Sequence, residues 1–339
     1  MNEEDMVTVE DVAREAGVSV ATVSRVVNKS PLVSPETTNK VNAVIERLHY
    51  KPNIFGRGLR RKESHIVLII IPNITNPYYS QIVSGIESVC HRSNYITMLC
   101  ITEASQIKAS SYLEFLKNGT ADGAIILSTE KNDLNLPELA KHYPIVQCSE
   151  YCNDDAISHV SIDNFEAAIR VIEYLISINH KRIGFISSYN QFISTELRQN
   201  GYLEAMTSAG FNFGNHYIAY ADSDYSFVSG QRAARELLER KDRPSAIFCV
   251  SDIIALGAIS AARELNLCIP EDVSIVGFDN VEYATMFTPK LTTVSQPCYS
   301  LGVNSAELIL KQLAGGKEGG NIFLEYDIIL RESTALVKS

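Results

Sequence analysis

Residues 20–25 of the chain read Val-Ala-Thr-Val-Ser-Arg. Thr22, Ser24 and Arg25 are hydrogen-bonding side chains set beside the small Val20 and Ala21. On a helix lying in a DNA major groove, such a set can read base edges. A guanidinium spans guanine O6 and N7, and a small apolar side chain meets a thymine methyl. Local charge supports that chemistry. From Val12 to Lys62 there are ten basic and three acidic residues, a net +7, whereas the whole chain carries −10 and the remainder therefore −17. A basic module on an acidic body can hold phosphates while the body stays off them.

Caps and spacing predict the elements that present those side chains. Thr8-Val-Glu-Asp11 has the form of a capping box, with an acid three residues after the cap. Val9, Val12, Ala13 and Ala16 follow at helical spacing. Gly17 is the residue type that a left-handed helix end requires. Ser19 caps a second short helix carrying Val23, Val26 and Val27. Two short helices joined by a Gly-containing turn predict a helix-turn-helix unit. Ser34 as cap and Pro35 at the first helical position open a third helix through Val41, Val44, Ile45 and Leu48. A ligand-free helical bundle would have the same core. The polar face of the second helix favours the DNA reading.

At this point the residues meet a family. Thr8 to Asn28, running Thr-Val-Glu-Asp-Val-Ala-Arg-Glu-Ala-Gly-Val-Ser-Val-Ala-Thr-Val-Ser-Arg-Val-Val-Asn, closely resembles the headpiece of the lactose/galactose repressor family of bacterial transcription regulators. So do Leu48-His-Tyr-Lys-Pro-Asn53 and Arg57-Gly-Leu59, and the match is dense over residues 8–60. The resemblance places Thr8, Ser19, Asn28, Tyr50, Asn53 and Arg57 at the DNA interface beside the side chains named above. It implies that residues 53–60 form a hinge helix that folds on the operator and wedges Leu59 into the minor groove, which kinks the duplex. Gly56 replaces the usual alanine and Gly58 adds a second glycine; each costs a helix about 1 kcal/mol relative to alanine. A simple flexible linker is the alternative there.

Beyond Ser64 short β-rich runs alternate with amphipathic stretches. Ile66–Ile71, Ile96–Ile101, Ala124–Leu127, Arg182–Ile186, Ile218–Ala221, Ala246–Val250 and Ser274–Gly277 read as strands. Helices are expected near Tyr79–Arg92, Ile107–Leu116, Leu197–Ala209, Gly230–Glu239 and Ile254–Leu265. Such alternation predicts parallel sheets covered on both faces, in two subdomains. The resemblance implies a periplasmic-binding-protein-like α/β body with three crossovers. The expected organisation is a helix-turn-helix headpiece over 1–52, a hinge over 53–62 and a body over 63–339. Its first lobe would take 63–161 and 294–325, its second 162–293 and 326–339. Ligand would lie between the lobes, at the carboxyl ends of the strands.

The same resemblance points to effector-holding positions: Tyr78 and Tyr79 in Asn76-Pro-Tyr-Tyr79, Asp163, Arg198, Tyr225, Ser251, Asp279 and Gln296. Tyrosine faces could stack on a sugar or base, while Asp279 and Arg198 offer acceptors and donors to hydroxyls. Each also has a structural alternative, such as a helix cap for Asp279 or a surface ion pair for Arg198. Residues 56–64, 70–77 and 249–257 look most like the nucleoside-responsive branch, which favours a nucleoside over a simple sugar as effector.

The expected function is a ligand-controlled, sequence-specific repressor. It would bind a pseudo-palindromic operator as a homodimer, with the two-fold contact along the Tyr79–Arg92 and Ile254–Leu265 helices. A family member governed by a partner protein instead of a small molecule is the alternative. A pure solute-binding protein conflicts with the headpiece. An enzyme would need a nucleophile or base constellation, and the chain has no Gly-rich phosphate loop, Gly-x-Ser-x-Gly or His-Glu-x-x-His. No cofactor is expected. Seven scattered cysteines and an acidic N-terminus without an apolar stretch predict reduced thiols in a cytoplasmic, nucleoid-associated protein. Cys148 and Cys152 are close together but lack enough neighbouring ligands for a metal site. The longest apolar run, Ile66–Ile71, is too short to span a bilayer.

Overall fold

The computed structural model describes residues 7–27, 30–50, 63–103, 105–130, 135–152, 157–316 and 320–337. The chain divides into two compact units, Met1–Ser64 and His65–Ser339.

The first unit holds three helices: α1 (Val9–Ala16), α2 (Val20–Val27) and α3 (Pro35–Arg47). The predicted capping box is present. The Asp11 amide donates to Thr8 Oγ1 at 3.2 Å, and the Thr8 amide donates to Asp11 Oδ2 at 3.0 Å. The Thr8 hydroxyl also donates to Asp11 Oδ2, at 2.7 Å, and it and the Thr8 amide favour the ionised carboxylate and hold Asp11 below the usual carboxylate range. Gly17 closes α1 in the left-handed conformation, with φ 60°. Ser19 Oγ accepts from the Thr22 amide at 3.1 Å, and Ser34 Oγ accepts from the Thr37 amide at 3.3 Å. The three helices enclose Val12, Ala16, Val23 and Val41, all fully buried.

The second unit contains two six-stranded sheets. In chain order its elements are β1 (Ile66–Ile71), α4 (Pro77–Arg92), β2 (Ile96–Ile101), α5 (Gln106–Lys117), β3 (Gly123–Ile126), α6 (Leu136–Ala140), β4 (Ile145–Cys148) and β5 (Ser158–Ser161). Next come α7 (Asn164–Ser177), β6 (Ile183–Ser188), α8 (Ile193–Ser208), β7 (Ile218–Ala221), α9 (Phe227–Leu238), β8 (Ala246–Cys249), α10 (Asp252–Glu264), β9 (Ser274–Asp279) and α11 (Tyr283–Met286). The last are β10 (Thr292–Ser295), α12 (Cys298–Leu313), β11 (Ile322–Phe323) and β12 (Asp327–Ile329). One sheet runs β11-β5-β4-β3-β1-β2 and the other β12-β10-β9-β8-β6-β7. Every pairing is parallel except β10 with β12. The chain therefore crosses between lobes after Ser161, after Ser295 and after Phe323. The second crossing falls two residues beyond the 293/294 boundary read from sequence, because Ser295 still pairs with Asp279 in the second sheet.

Fully buried apolar strands explain the doubly covered sheets. All six residues of β1 and all six of β9 are buried. Helix α12 packs along α4, and Gly85 and Gly302 set how closely they approach. A Cβ on Gly302 would collide with the Ile82 carbonyl, and one on Gly85 with the Tyr299 carbonyl. Within one chain this packing covers the apolar side of α4 (Ile82, Ile86, Val89), and the helix's exposed positions are polar: Ser80, Gln81, Ser84, Glu87, His91 and Arg92. Helix α10 is likewise buried over most of its length against α9, leaving Arg263 and Glu264 outward.

Gly302→Ala is expected to lower stability by about 1–3 kcal/mol through overpacking against backbone that cannot yield. Thermal denaturation of the variant checks this; an unchanged Tm would show that α4 and α12 can separate without loss.

Candidate functional site

On α2, Ala21 and Arg25 are one turn apart, as are Val20 and Ser24, so each pair shares a side of the helix. Arg25 and Ala21 are exposed; Val20, Thr22 and Ser24 are half-buried. Arg14 is paired with Asp11, and Arg47 with Glu15 at 2.7 Å. Arg25 takes part in no ion pair among the described residues, so its charge is available to an external acceptor. Thr8 and Ser19 are exposed but already serve as helix caps. Tyr50 packs against the headpiece core. Asn28, Asn53, Arg57 and Leu59 lie outside the described residues, as does the hinge.

The second candidate site lies between the lobes, where the carboxyl ends of the parallel strands meet. Tyr78 is on the first turn of α4, held there by the Asn76 cap, whose side chain accepts from the Tyr78 amide at 3.0 Å. Its hydroxyl bonds Ser149 Oγ and reaches Gln296 Oε1 at 3.4 Å. Gln296, on the second crossing, donates from Nε2 to Asp279 Oδ1 at 2.8 Å. Arg198 on α8 stands 4.0 Å from the same oxygen. Four residues proposed from sequence therefore form one chain of contacts from the first lobe to the second, all of them buried. Tyr79 and Tyr225 flank it: Tyr79 meets Tyr78 edge-to-face at 5.2 Å, and the Tyr225 hydroxyl bonds Thr195.

Arg198 is fixed from several directions. Its Nε donates to Asn164 Oδ1 at 2.9 Å and one terminal nitrogen to the Val250 carbonyl at 2.6 Å. Its guanidinium carbon lies 3.6 Å from the centre of the Phe278 ring. Asp279 sits at the end of β9 with φ 114°, a backbone region an L side chain rarely adopts. Such strain is held only where the surroundings over-determine it.

The sequence reading missed Glu150. It follows β4 in the first lobe and crosses to the second, where Phe192 contributes no capping oxygen to α8. The Glu150 carboxylate takes that place, accepting from the Ser194 amide at 3.2 Å and from Ser194 Oγ at 2.5 Å. An acid at a helix N-terminus is favoured by the orphan amides and the dipole. Only the position of β4 could have revealed it, because that strand places Glu150 at a carboxyl end. Asp163 and Ser251 do not join the network. Asp163 is exposed and caps α7, accepting from the Glu166 amide at 2.9 Å, while Ser251 caps α10.

The cleft is acidic. Burial pushes the Asp279 carboxyl up to about 7, against the pull of Arg198 and the Gln296 bond. Burial also raises Glu150, opposed by Ser194 and Arg198. Asp252, fully buried beneath the site, is raised by burial and then by the Asp279 charge; Thr293 Oγ1 and the Val281 amide donate to it at 2.6 and 2.8 Å. Burial thus favours the neutral, protonated form of all three carboxyls. No group of three or more metal-ligating side chains occurs among the described residues, and no described helix is long and apolar enough to cross a membrane.

Two family models match the chain: bacterial regulatory proteins, lacI family, over residues 8–53, and the periplasmic binding protein-like domain over 172–334. The HTH-type transcriptional repressor CytR of Escherichia coli (strain K12) is 34% identical over 336 residues, covering 98% of this chain and 97% of that protein. The chain belongs to the lacI family. Another lacI-type match, catabolite control protein A of Priestia megaterium, is 38% identical over 97% of this chain and 99% of its own length. Among solved structures, the lac repressor dimer bound to operator and the anti-inducer ONPF aligns with a TM-score of 0.85 and 26% identity over 97% of this chain and 99% of that one. These lacI-family relatives are regulators rather than enzymes, and the two-lobed body with a helix-turn-helix headpiece is theirs.

A carboxyl whose folded pKa is raised holds its proton longer in the native state than in the unfolded chain. Native stability therefore falls as pH rises from the ordinary value of 3.8 toward about 7 at Asp279. Asp279→Asn should reduce that slope. Thermal melts of both proteins between those limits test the sign; parallel slopes would remove Asp279 as their source.

Proposed function

We propose that this chain is a cytoplasmic, nucleoid-associated transcription repressor that binds a pseudo-palindromic operator as a homodimer and releases or tightens that grip when an uncharged polar effector, a nucleoside or a sugar, enters the cleft. The observation that carries the effector reading is the run of contacts Tyr78–Gln296–Asp279–Arg198, because it links both lobes through side chains suited to hydroxyls. A ligand that exchanges those contacts for its own changes the relative energy of lobe arrangements, which is what an effector must do. The lacI-family headpiece match supports the operator reading, with Val20, Ala21, Thr22, Ser24 and Arg25 as the base-reading set and Asn28, Tyr50, Asn53, Arg57 and Leu59 as further DNA contacts.

The burial of the cleft's carboxyls narrows the effector. Burial pushes Asp279 and Glu150 toward their neutral forms, so a phosphate monoester would bring its charge into a site that already penalises buried anions. Nucleosides and free sugars suit such a site; nucleotides and sugar phosphates oppose it. For a second copy of the chain, exposed apolar side chains beside α4 add to the two-fold contact expected along α4 and α10. Ile96 and Leu99 lie on β2, an edge strand of the first sheet, and are 52% and 38% exposed. Leaving them in water is unfavourable by roughly 25 cal/mol for each Å² that a partner could cover.

Arg25→Ala should weaken operator binding by about 1–3 kcal/mol and relax the preference at one base pair. An equal loss on random DNA, measured by fluorescence anisotropy, would assign Arg25 to phosphate contact only. A thermal-shift screen with nucleosides, sugars and their phosphates tests the effector. Stabilisation by a neutral compound, lost in Arg198→Met while operator binding persists, supports the reading. Stabilisation by phosphorylated compounds alone overturns the charge argument.

A further inference from the structure

The buried network fills the centre of the cleft, yet two open cavities lie beside it. One, of about 460 Å³, is lined by Asn76, Tyr79 and Ile101 of the first lobe and by Phe192, Ser223 and Tyr225 of the second. It borders the network through Tyr79 and Tyr225, which flank the network and line the cavity. The other, of about 720 Å³, runs between α5 and α6 of the first lobe and residues 189–192 of the second. The two cavities share Phe192 and Ser223, so they adjoin end to end. Each alone lies within the roughly 300–1,000 Å³ of a whole small-molecule site. A ligand of one ring, or a nucleoside, seated at Arg198 and Asp279 would leave most of this space empty.

The lining of the outer cavity indicates what would fill it. Tyr189 is 65% exposed although it lies inside a groove, and Tyr220 stacks on it at 5.0 Å with an interplanar angle of 17°. A large aromatic surface held open at a fixed angle suits stacking of a flat or saturated ring. Around it are short hydroxyl and amide side chains, among them Ser105, Ser110, Asn190 and Gln191. Most charges of the groove are matched within the protein. Lys117 pairs with Glu114 at 2.7 Å and Lys141 with Glu138 at 2.5 Å, while Glu130 accepts from the neutral Gln106 amide at 2.7 Å and keeps its negative charge. The groove therefore calls for ring faces and hydroxyls rather than for an anion.

We propose that the effector is an oligosaccharide, with one terminal unit on the Arg198–Asp279–Gln296 network and the following units passing Phe192 to stack on Tyr189. This rests on the effector reading given above and extends it. Because both cavities are lined from both lobes, each added unit would also contribute to the energy that sets the lobe angle.

The test is calorimetric titration of the full chain with gluco-, xylo- and manno-oligosaccharides of one to four units, and with cytidine and adenosine. The expected result is affinity that rises at least about tenfold from one unit to three within one series. Tyr189→Ala should remove that gain and Tyr189→Phe should keep it; thermal melts of both variants confirm folding. Tightest binding by a nucleoside or a single sugar unit, or a length dependence unchanged in Tyr189→Ala, overturns the extended groove while leaving the effector reading in place. Binding of none of these compounds, with stabilisation by another neutral ligand, overturns the oligosaccharide alone. No binding of any neutral ligand overturns both.

Discussion

Arg198 carries a charge that has been taken out of water, and the geometry of the cleft follows from meeting its needs. A buried ion costs several kcal/mol unless hydrogen bonds and opposite charge surround it. Here Asn164 at the start of α7, Val250 at the end of β8, and Phe278 and Asp279 at the end of β9 supply them. Those groups come from two strand ends of the second lobe and from the helix start that follows the first crossing between lobes. Satisfying one guanidinium therefore aligns two strand ends with that crossing, beside Asp279 in its otherwise unfavourable backbone region. Asp279 then orients Gln296, and Gln296 meets Tyr78 across the gap. Ligand recognition and lobe contact thus depend on the same buried cation.

Glu150 completes this arrangement from the other side. Its carboxylate caps a helix that does not belong to its own lobe, so part of the stability of α8 depends on the lobes staying near one another. A cap of this kind is worth about 1 kcal/mol. That is small against the whole fold but comparable to the energies that separate two allosteric states.

Much of this was legible in the sequence where the signal is local. The headpiece could be read residue by residue, since Thr8, Gly17, Ser19, Ser34 and Pro35 act on their own turns. The alternation of strands and helices was legible for β1, β6, β8 and β9, whose runs are buried on both faces, and for the apolar edge strand β2. Strand β5 was not: Ser158-His-Val-Ser161 has a single apolar residue and is strand only because β4 and β11 pair with it. Helix α12 was hidden by its serines, asparagine and glycine, which suit close packing on α4 rather than a plain apolar stripe. Helix α7 carries plain helical spacing at Ala168, Val171, Ile172 and Leu175, so its omission reflects no physical ambiguity. In the cleft, the Tyr78, Arg198, Asp279 and Gln296 positions came from family resemblance. Glu150 could not be found without its strand. Asp163 and Ser251 share the residue types of ligand contacts with those of caps, and spacing alone cannot tell the two apart.

The three crossings between lobes have a consequence for how the molecule is made. Neither lobe is a continuous stretch of chain. The first cannot close until α12 has been added, after about 300 residues have left the ribosome, and β11 comes later still. The headpiece, complete within its own unit, can fold early, since domains fold from the N-terminus as they emerge. Meanwhile Ile82, Ile86 and Val89 of α4 wait uncovered for the helix that Gly85 and Gly302 allow to dock. During synthesis the nascent chain therefore passes through a long interval with a finished DNA-binding module and a sticky, unfinished body, and in that interval it depends most on being shielded from its neighbours.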